Sequence, residues 1–412
     1  MKKIAGVLLS AAIAFGTIAS AGSLYKGREI VVAGAESVKT EEYTQIAAKN
    51  AQKSAVNLQI KAKASYLMDF ATGTVMHAQN ERTHLPIASM CKIMTLILAF
   101  DAIKSGDMDM REELTISERA ASMGGSQVFL EANAKYPIKE LIKSIVVCSA
   151  NDSCVALAER IAGNEELFTH QMNEKAKALG ANDTLFANCT GLPKEPQYSC
   201  AKDVAIMLKA LLSHQEYYEF GKVWMDKFQH PKGRHTEITN TNKLVRFYDG
   251  CDGGKTGFTN QAGFCLAATA KRNDMRVISV VIGEENSATR FNDVRTMFDY
   301  AFANYEATPI VEANVPLENT GFVNGGKIKK LEVCPDRSAF TFHRRGENVN
   351  VTLETHLDTL RAPLKKGEKV GELVVFKDNV EVERVPLVAA FDVEKANFFD
   401  RLRDVALGWN AR

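Results

Sequence analysis

Ser89 and Lys92, in Ser89-Met90-Cys91-Lys92, are the residue types and the spacing that a serine nucleophile and a lysine base require. A serine hydroxyl attacks poorly at neutral pH unless a base lies within hydrogen-bond reach. Three residues on a helix is nearly one turn, so the two side chains project from one face. A lysine accepts a proton only when neutral, and burial or a neighbouring cation depresses its pKa. Lys255, in Lys255-Thr256-Gly257, is the candidate cation. Ser149-Ala150-Asn151 adds two further groups. Ser149 can relay a proton between Lys92 and a leaving amine. The Asn151 amide offers a donor and an acceptor to a substrate peptide group. Alternatively Asn151 caps a helix beginning at Asp152, and both roles can coexist.

Lys255 and Thr256 are suited to a terminal carboxylate, by charge and by hydroxyl. Gly257 leaves the strand edge open for an extended peptide to pair against it. The expected oxyanion donors are the backbone N–H groups of Ser89 and Phe258. A helix opening at Ser89 adds its positive dipole end.

Ser-x-x-Lys is a weak signal alone, because both residues are common. Ser23-Leu24-Tyr25-Lys26 and Ser199-Cys200-Ala201-Lys202 also match. Context separates them. Ser23 follows a probable export signal, and Ser199 lies in a polar stretch after Pro193 and Pro196. Ser89 follows Pro86 and opens the apolar run Ile93 to Phe100, which predicts a buried helix ending near Gly106.

The elements that must position these residues read as one α/β unit over residues 58–307. Ser65 to Phe70 and Thr74 to His77, joined by Ala71-Thr-Gly, predict a strand–turn–strand. Helices follow, including Ile138 to Cys148 and Asp152 to Ile161. Strands return after Gly253, at Phe264 to Ala270 and Arg276 to Ile282, and Asn292 to Ala303 reads as a closing helix. The first hairpin is expected to pair with the last strands. Residues 308–390 change character to short strands separated by turns such as Asn324-Gly-Gly and Lys365-Lys-Gly-Glu, predicting a small separate β-domain without a catalytic constellation. In residues 391–412, Phe391, Phe398, Leu402, Val405 and Trp409 recur on one helical face. Such an amphipathic helix can lie in a membrane surface or dock on its own domain.

Length and composition fit this division. The chain has 412 residues, 46% of them hydrophobic, and a formal net charge of +1 with no basic stripe, which argues against nucleic acid as a partner. Lys2-Lys3, the apolar run Ile4 to Ile18 and Ala19-Ser20-Ala21 have the form of a signal peptide over residues 1–21, with cleavage expected after Ala21 and an uncleaved anchor as the alternative. Residues 22–57 read as a polar spacer. Eight cysteines in an exported chain suggest disulfides. Their scattered spacing favours mostly free, buried thiols instead, with Cys189 and Cys200 the most plausible bridged pair. No C-x-x-C or histidine cluster is present, so neither a metal nor a cofactor is expected.

These residues resemble the low-molecular-weight penicillin-binding proteins that are D-alanyl-D-alanine carboxypeptidases, peptidase family S11. The likeness extends to Tyr66-Leu-Met-Asp, Pro86-Ile-Ala-Ser-Met-Cys-Lys, Asn151-Asp152, Gly253-Gly-Lys-Thr-Gly, Gln261-Ala-Gly and Leu364-Lys-Lys-Gly-Glu-Lys-Val-Gly, and covers roughly residues 58–391. It implies a β-lactamase/transpeptidase-like catalytic domain (an antiparallel sheet with helices), a C-terminal β-rich domain and an amphipathic anchor. It implies removal of the terminal D-Ala from peptidoglycan stem peptides through an acyl-enzyme on Ser89, with β-lactams acylating the same serine, at the extracytoplasmic face of the bacterial membrane. It also implies that Arg290, in Ser287-Ala-Thr-Arg-Phe, helps hold the substrate carboxylate. Ala150 replaces the family's common Gly, Cys91 sits inside the first motif, and Phe258 stands where some members carry His and would reshape the pocket.

Three other readings compete. A β-lactamase needs a dedicated water-activating group, and no Glu-x-x-x-Asn candidate occurs in a suitable loop. A transpeptidase would pass the acyl group to an amine. A non-catalytic module binding wall peptides would be signalled by a changed Ser89 or Lys92, and both are intact.

Overall fold

The computed structural model describes residues 58–318, 320–400 and 402. The expected signal peptide, the whole of the expected spacer and the second half of the expected terminal helix lie outside these residues. Close contacts divide the described chain into a unit of residues 58–307 with Phe342–Arg345, and a second unit containing Thr308–Thr341 and residues from Gly346 onward.

The first unit is built on a five-stranded antiparallel sheet. Its order is Val75–Gln79, Ala64–Asp69, Met275–Glu284, Gly263–Arg272, Cys251–Thr259. The first hairpin does pair with the last strands, Tyr66 opposite Val280 and Met68 opposite Ile278. The hairpin turn is closed by Asp69, whose carboxylate accepts the Thr72 N–H at 2.7 Å and the Thr72 hydroxyl at 2.8 Å. The three central strands are buried on both faces, and they read accordingly as near-continuous runs such as Val277-Ile-Ser-Val-Val-Ile. One face packs on Val294, Met297, Phe298 and Ala301 of the helix Ser287–Asn304. Asn286 caps that helix by accepting the Thr289 N–H at 2.9 Å.

The other face covers the larger core. At its centre lies the helix Lys92–Ser105, buried almost all round from Lys92 to Phe100 and ended by Gly106 in the left-handed conformation. Its first two turns, apolar on nearly every side from Ile93 to Phe100, have no solvent face to present, so they sit inside the unit. Ile138–Cys148, Asn151–Ala162, Glu165–Ala178 and Ala201–Leu212 surround it.

The second unit holds a five-stranded antiparallel sheet in the order Thr320–Phe322, Lys330–Pro335, Val380–Ala389, Lys369–Lys377, Val351–Leu357. Its core is aliphatic, with Leu331, Val333, Leu373, Val375, Val385 and Leu387 inward.

Two expectations fail. The terminal helix does not begin at Phe391. Val393 and Lys395 instead form antiparallel bridges to Leu364 and Gly326, and Val393 and the partly buried Phe391 join the β-core. The helix starts at Phe398, after Asn397 and Asp400 exchange side-chain-to-backbone hydrogen bonds of 2.9 and 3.0 Å. The periodic spacing of Phe391 with Phe398 belongs to two different structures, because backbone pairing claimed the first segment. Cys189 and Cys200 are not bridged; all eight cysteines are free. Cys189 Sγ faces Glu165 at 3.3 Å, whereas Cys200 caps the helix Ala201–Leu212 by accepting the Asp203 N–H at 3.5 Å. Each thiol is committed to its own segment.

Candidate active site

Ser89 lies in a tight 3-10 turn, Ala88–Cys91, and the α-helix proper begins at Lys92. The expected helix start at Ser89 is therefore a turn early in kind, though the Ser89–Lys92 spacing is preserved. Lys92 Nζ donates to Ser89 Oγ at 2.9 Å and to the Thr190 carbonyl at 2.5 Å. Lys92 is fully buried, Ser89 partly exposed.

The turn is shaped by two glycines that approach it from distant segments. A Cβ on Gly191 would lie 2.0 Å from the Ala88 carbonyl oxygen, and one on Gly257 would lie 2.6 Å from the Ile87 carbonyl oxygen. Ala88 itself holds φ at +47°, a strained value for a residue with a Cβ. Gly257 thus serves first to let the Cys251–Thr259 strand press against the Ser89 turn, a reason the sequence reading did not give. That strand is an edge of the sheet, as a peptide-pairing role needs.

Ser149 ends the helix Ile138–Cys148 in the left-handed region, φ +68° and ψ +33°, with its N–H on the Ser144 carbonyl. It is buried, and its Oγ has no hydrogen-bond partner. Asn151 opens the next helix, one residue before the expected start, and makes no capping bond. Its Nδ2 donates to the Gly124 carbonyl at 2.7 Å while Oδ1 is left without a donor. Buried polar atoms left unpaired are rare and cost about 1–3 kcal/mol each. Ser149 Oγ and Asn151 Oδ1, two residues apart, are both of this kind.

Lys255 is 2% exposed, with Nζ on the Thr256 carbonyl at 3.0 Å. Thr256 Oγ1 donates to Thr241 Oγ1 at 2.8 Å. Arg290, in the first turn of Ser287–Asn304, donates to the carbonyls of Gly257 at 3.4 Å and Cys265 at 3.3 Å, and its Nε has no partner. The guanidinium packs on the rings of Phe264 and Phe291. Phe258 is half-exposed and packs on Phe264, with ring centroids 4.3 Å apart.

Electrostatics follow from burial. Among the described residues, neither Lys92 nor Lys255 has a carboxylate in ion-pair range. Burial lowers the pKa of Lys92, and burial followed by repulsion from Lys92 lowers that of Lys255 well below its ordinary value. Burial draws Arg290 down to about 10, so it remains charged at neutral pH. The site therefore combines two buried lysines, both biased toward their neutral forms, with the charged guanidinium of Arg290.

The second Ser-x-x-Lys match that can be placed, Ser199 to Lys202, does none of this: Ser199 Oγ pairs with Thr184 Oγ1 at 2.8 Å in a buried bridge before a helix. The sequence reading missed Asp152, whose carboxylate accepts the N–H groups of Val128, Leu130 and Ser153 at 2.9–3.1 Å and so ties the 124–130 loop to the Asn151 helix. It also missed Thr190 and Thr241. Only Asp152, beside Asn151, had a local signal.

The family pattern described as D-alanyl-D-alanine carboxypeptidase matches residues 48–286. The chain belongs to that family. The pattern of the penicillin-binding protein 5 C-terminal domain matches residues 305–395. D-alanyl-D-alanine carboxypeptidase DacF of Bacillus subtilis is 39% identical over 364 residues, covering 88% of this chain and 93% of that one. The structure of penicillin-binding protein 5 from Haemophilus influenzae superposes with a TM-score of 0.64 at 30% identity, covering 82% of this chain and 98% of that one. Penicillin-binding protein D2 from Listeria monocytogenes, solved with ampicillin bound, gives a TM-score of 0.54 at 29% identity, covering 60% of this chain and all of that one. The protein is accordingly a serine-type D-Ala-D-Ala carboxypeptidase of the penicillin-binding class.

Proposed function

We propose that Ser89 is the nucleophile and Lys92 the general base of this carboxypeptidase. The Nζ–Oγ hydrogen bond of 2.9 Å on a fully buried lysine carries the assignment. Neutral Lys92 takes the Ser89 proton as Oγ attacks the carbonyl of the penultimate D-Ala. The Ser89 and Phe258 N–H groups receive the developing oxyanion. The approach of Gly257 to the Ile87–Met90 backbone supports that role by bringing the strand against the Ser89 turn. Ser149, with its free Oγ, passes the proton to the nitrogen of the departing D-Ala, and water then hydrolyses the Ser89 ester. Lys255, Thr256 and Arg290 meet the substrate's terminal carboxylate, and Asn151 meets a peptide group. β-Lactams enter by the same attack, but the leaving nitrogen stays tethered in the adduct.

The signal peptide expected over residues 1–21 supports action on stem peptides outside the cytoplasmic membrane. The exposed Phe398, Phe399 and Leu402 support contact of the tail with a membrane surface.

Intact mass after incubation with penicillin tests the assignment. The wild type is expected to gain one persistent adduct, absent from Ser89→Ala. An adduct on the mutant would remove Ser89 from the mechanism, and fast penicillin turnover without an adduct would indicate a β-lactamase.

A further inference from the structure

Lys92 is held from two sides, by Ser89 and by the carbonyl of Thr190, a residue 98 positions away in the chain. With one N–H committed to that carbonyl, the lone pair of the neutral amine is left for the Ser89 hydroxyl. The carbonyl belongs to a loop, residues 188–192, that has no helix or strand of its own. One side chain shapes it. Asn188 Oδ1 accepts the Thr190 N–H at 3.1 Å, the Thr190 hydroxyl at 3.1 Å and the Gly191 N–H at 2.7 Å, while Nδ2 donates to the Leu192 carbonyl at 2.8 Å. Asn188 is 7% exposed, so these bonds meet little competition from water. The loop is clamped in turn to the base's own helix: Cys91 Sγ donates to the Asn188 carbonyl at 3.2 Å, and Thr95 Oγ1 to the Cys189 carbonyl at 2.7 Å.

We propose that Asn188 is a positioning residue for the base: it fixes the loop that presents the Thr190 carbonyl to Lys92 and seats Gly191 against the Ala88 carbonyl. The inference rests on the reading of Lys92 as the base. A carbonyl acceptor favours the ammonium form of the amine, since the charged donor binds it more strongly. Loss of the carbonyl therefore lowers the pKa of Lys92. The other titratable groups facing Lys92 are the thiols of Cys91, Cys148, Cys154 and Cys189, all pushed up by burial and hence neutral, and Lys255, with Glu165 beyond Cys189. Acylation rises with pH as Lys92 loses its proton, so its acid limb reports this pKa.

The test is the second-order rate of acylation by penicillin from about pH 5 to about pH 10, with melting curves, for the wild type, Asn188→Ala, Asn188→Asp and Lys92→Ala. Asn188→Ala is expected to acylate about tenfold to a hundredfold more slowly, with its acid limb at lower pH. Asn188→Asp keeps the acceptor, and its three donors keep it ionised. Its rate should stay within about tenfold of wild type, with the limb at higher pH because of the added charge. A folded Asn188→Ala with wild-type rate and limb would overturn the proposal. If that variant does not fold, an unmoved limb in Asn188→Asp overturns it instead. Wild-type acylation by Lys92→Ala would overturn the assignment of the base itself, whatever the Asn188 variants do.

Discussion

The two units of the chain differ in what they bury. The β-unit keeps its charges outside, in exposed pairs such as Arg384 with Glu381 and Lys369 with Glu372. Among its described residues Thr341 is the one buried polar side chain. The catalytic unit buries Lys92, Lys255 and Arg290 without carboxylate partners and leaves Ser149 Oγ, Asn151 Oδ1 and Arg290 Nε unpaired. Each such group weakens the fold, and a chain selected for stability alone would have removed them. Ser149, Asn151, Lys255 and Arg290 are all among the candidate site residues, as an exchange of stability for chemistry would require.

Four variants break or sharpen that contrast. Lys255→Met should lower kcat/KM for a D-Ala-D-Ala peptide about a hundredfold or more, yet raise Tm, because an apolar chain of similar length replaces a buried amine that has no carboxylate partner. A lower Tm with lost activity would mean that Lys255 supports the fold, and the contrast would fail. Asp152→Ala leaves the Val128 and Leu130 N–H groups without an acceptor, so urea unfolding should show a loss of about 2–5 kcal/mol. A loss below about 1 kcal/mol would show that this buried polar group, too, is not structural.

Glu284 supplies the pH test. It is 1% exposed, and burial followed by a shared hydrogen bond with the neighbouring Asp293 carboxyl raises its pKa to about 8. The folded state therefore binds more protons than the unfolded chain between about pH 4.3 and the folded value, and the Glu284 contribution to stability falls as pH rises through that window. Glu284→Gln should shrink the drop in Tm between the two ends of the window; an unchanged drop would assign it to other groups. Arg384→Ala, on the β-unit, should move Tm by no more than about 2 °C. A larger shift would show that the exposed pairs carry that unit's stability.

The fold and the reacting groups were legible for different reasons. The strands at 263–272 and 275–284 and the helices at 138–148 and 287–304 come from local periodicity and turns, which act over a few residues. The tail misled because the same periodicity at Phe391 was outcompeted by backbone pairing with Leu364. Cys189 and Cys200 misled because sequence proximity says nothing of which segment each thiol serves.

The sequence by itself determined that Ser89 and Lys92 lie a turn apart and that a buried helix follows them. Those facts depend on neighbours along the chain. Only the tertiary structure decided that Thr190 meets Lys92, that Thr241 meets Thr256, that Arg290 reaches Gly257, and that Gly191 and Gly257 close on one turn. These contacts join segments from 15 to 170 residues apart. No local pattern encodes them, because burial and backbone pairing across the whole unit bring those groups within reach.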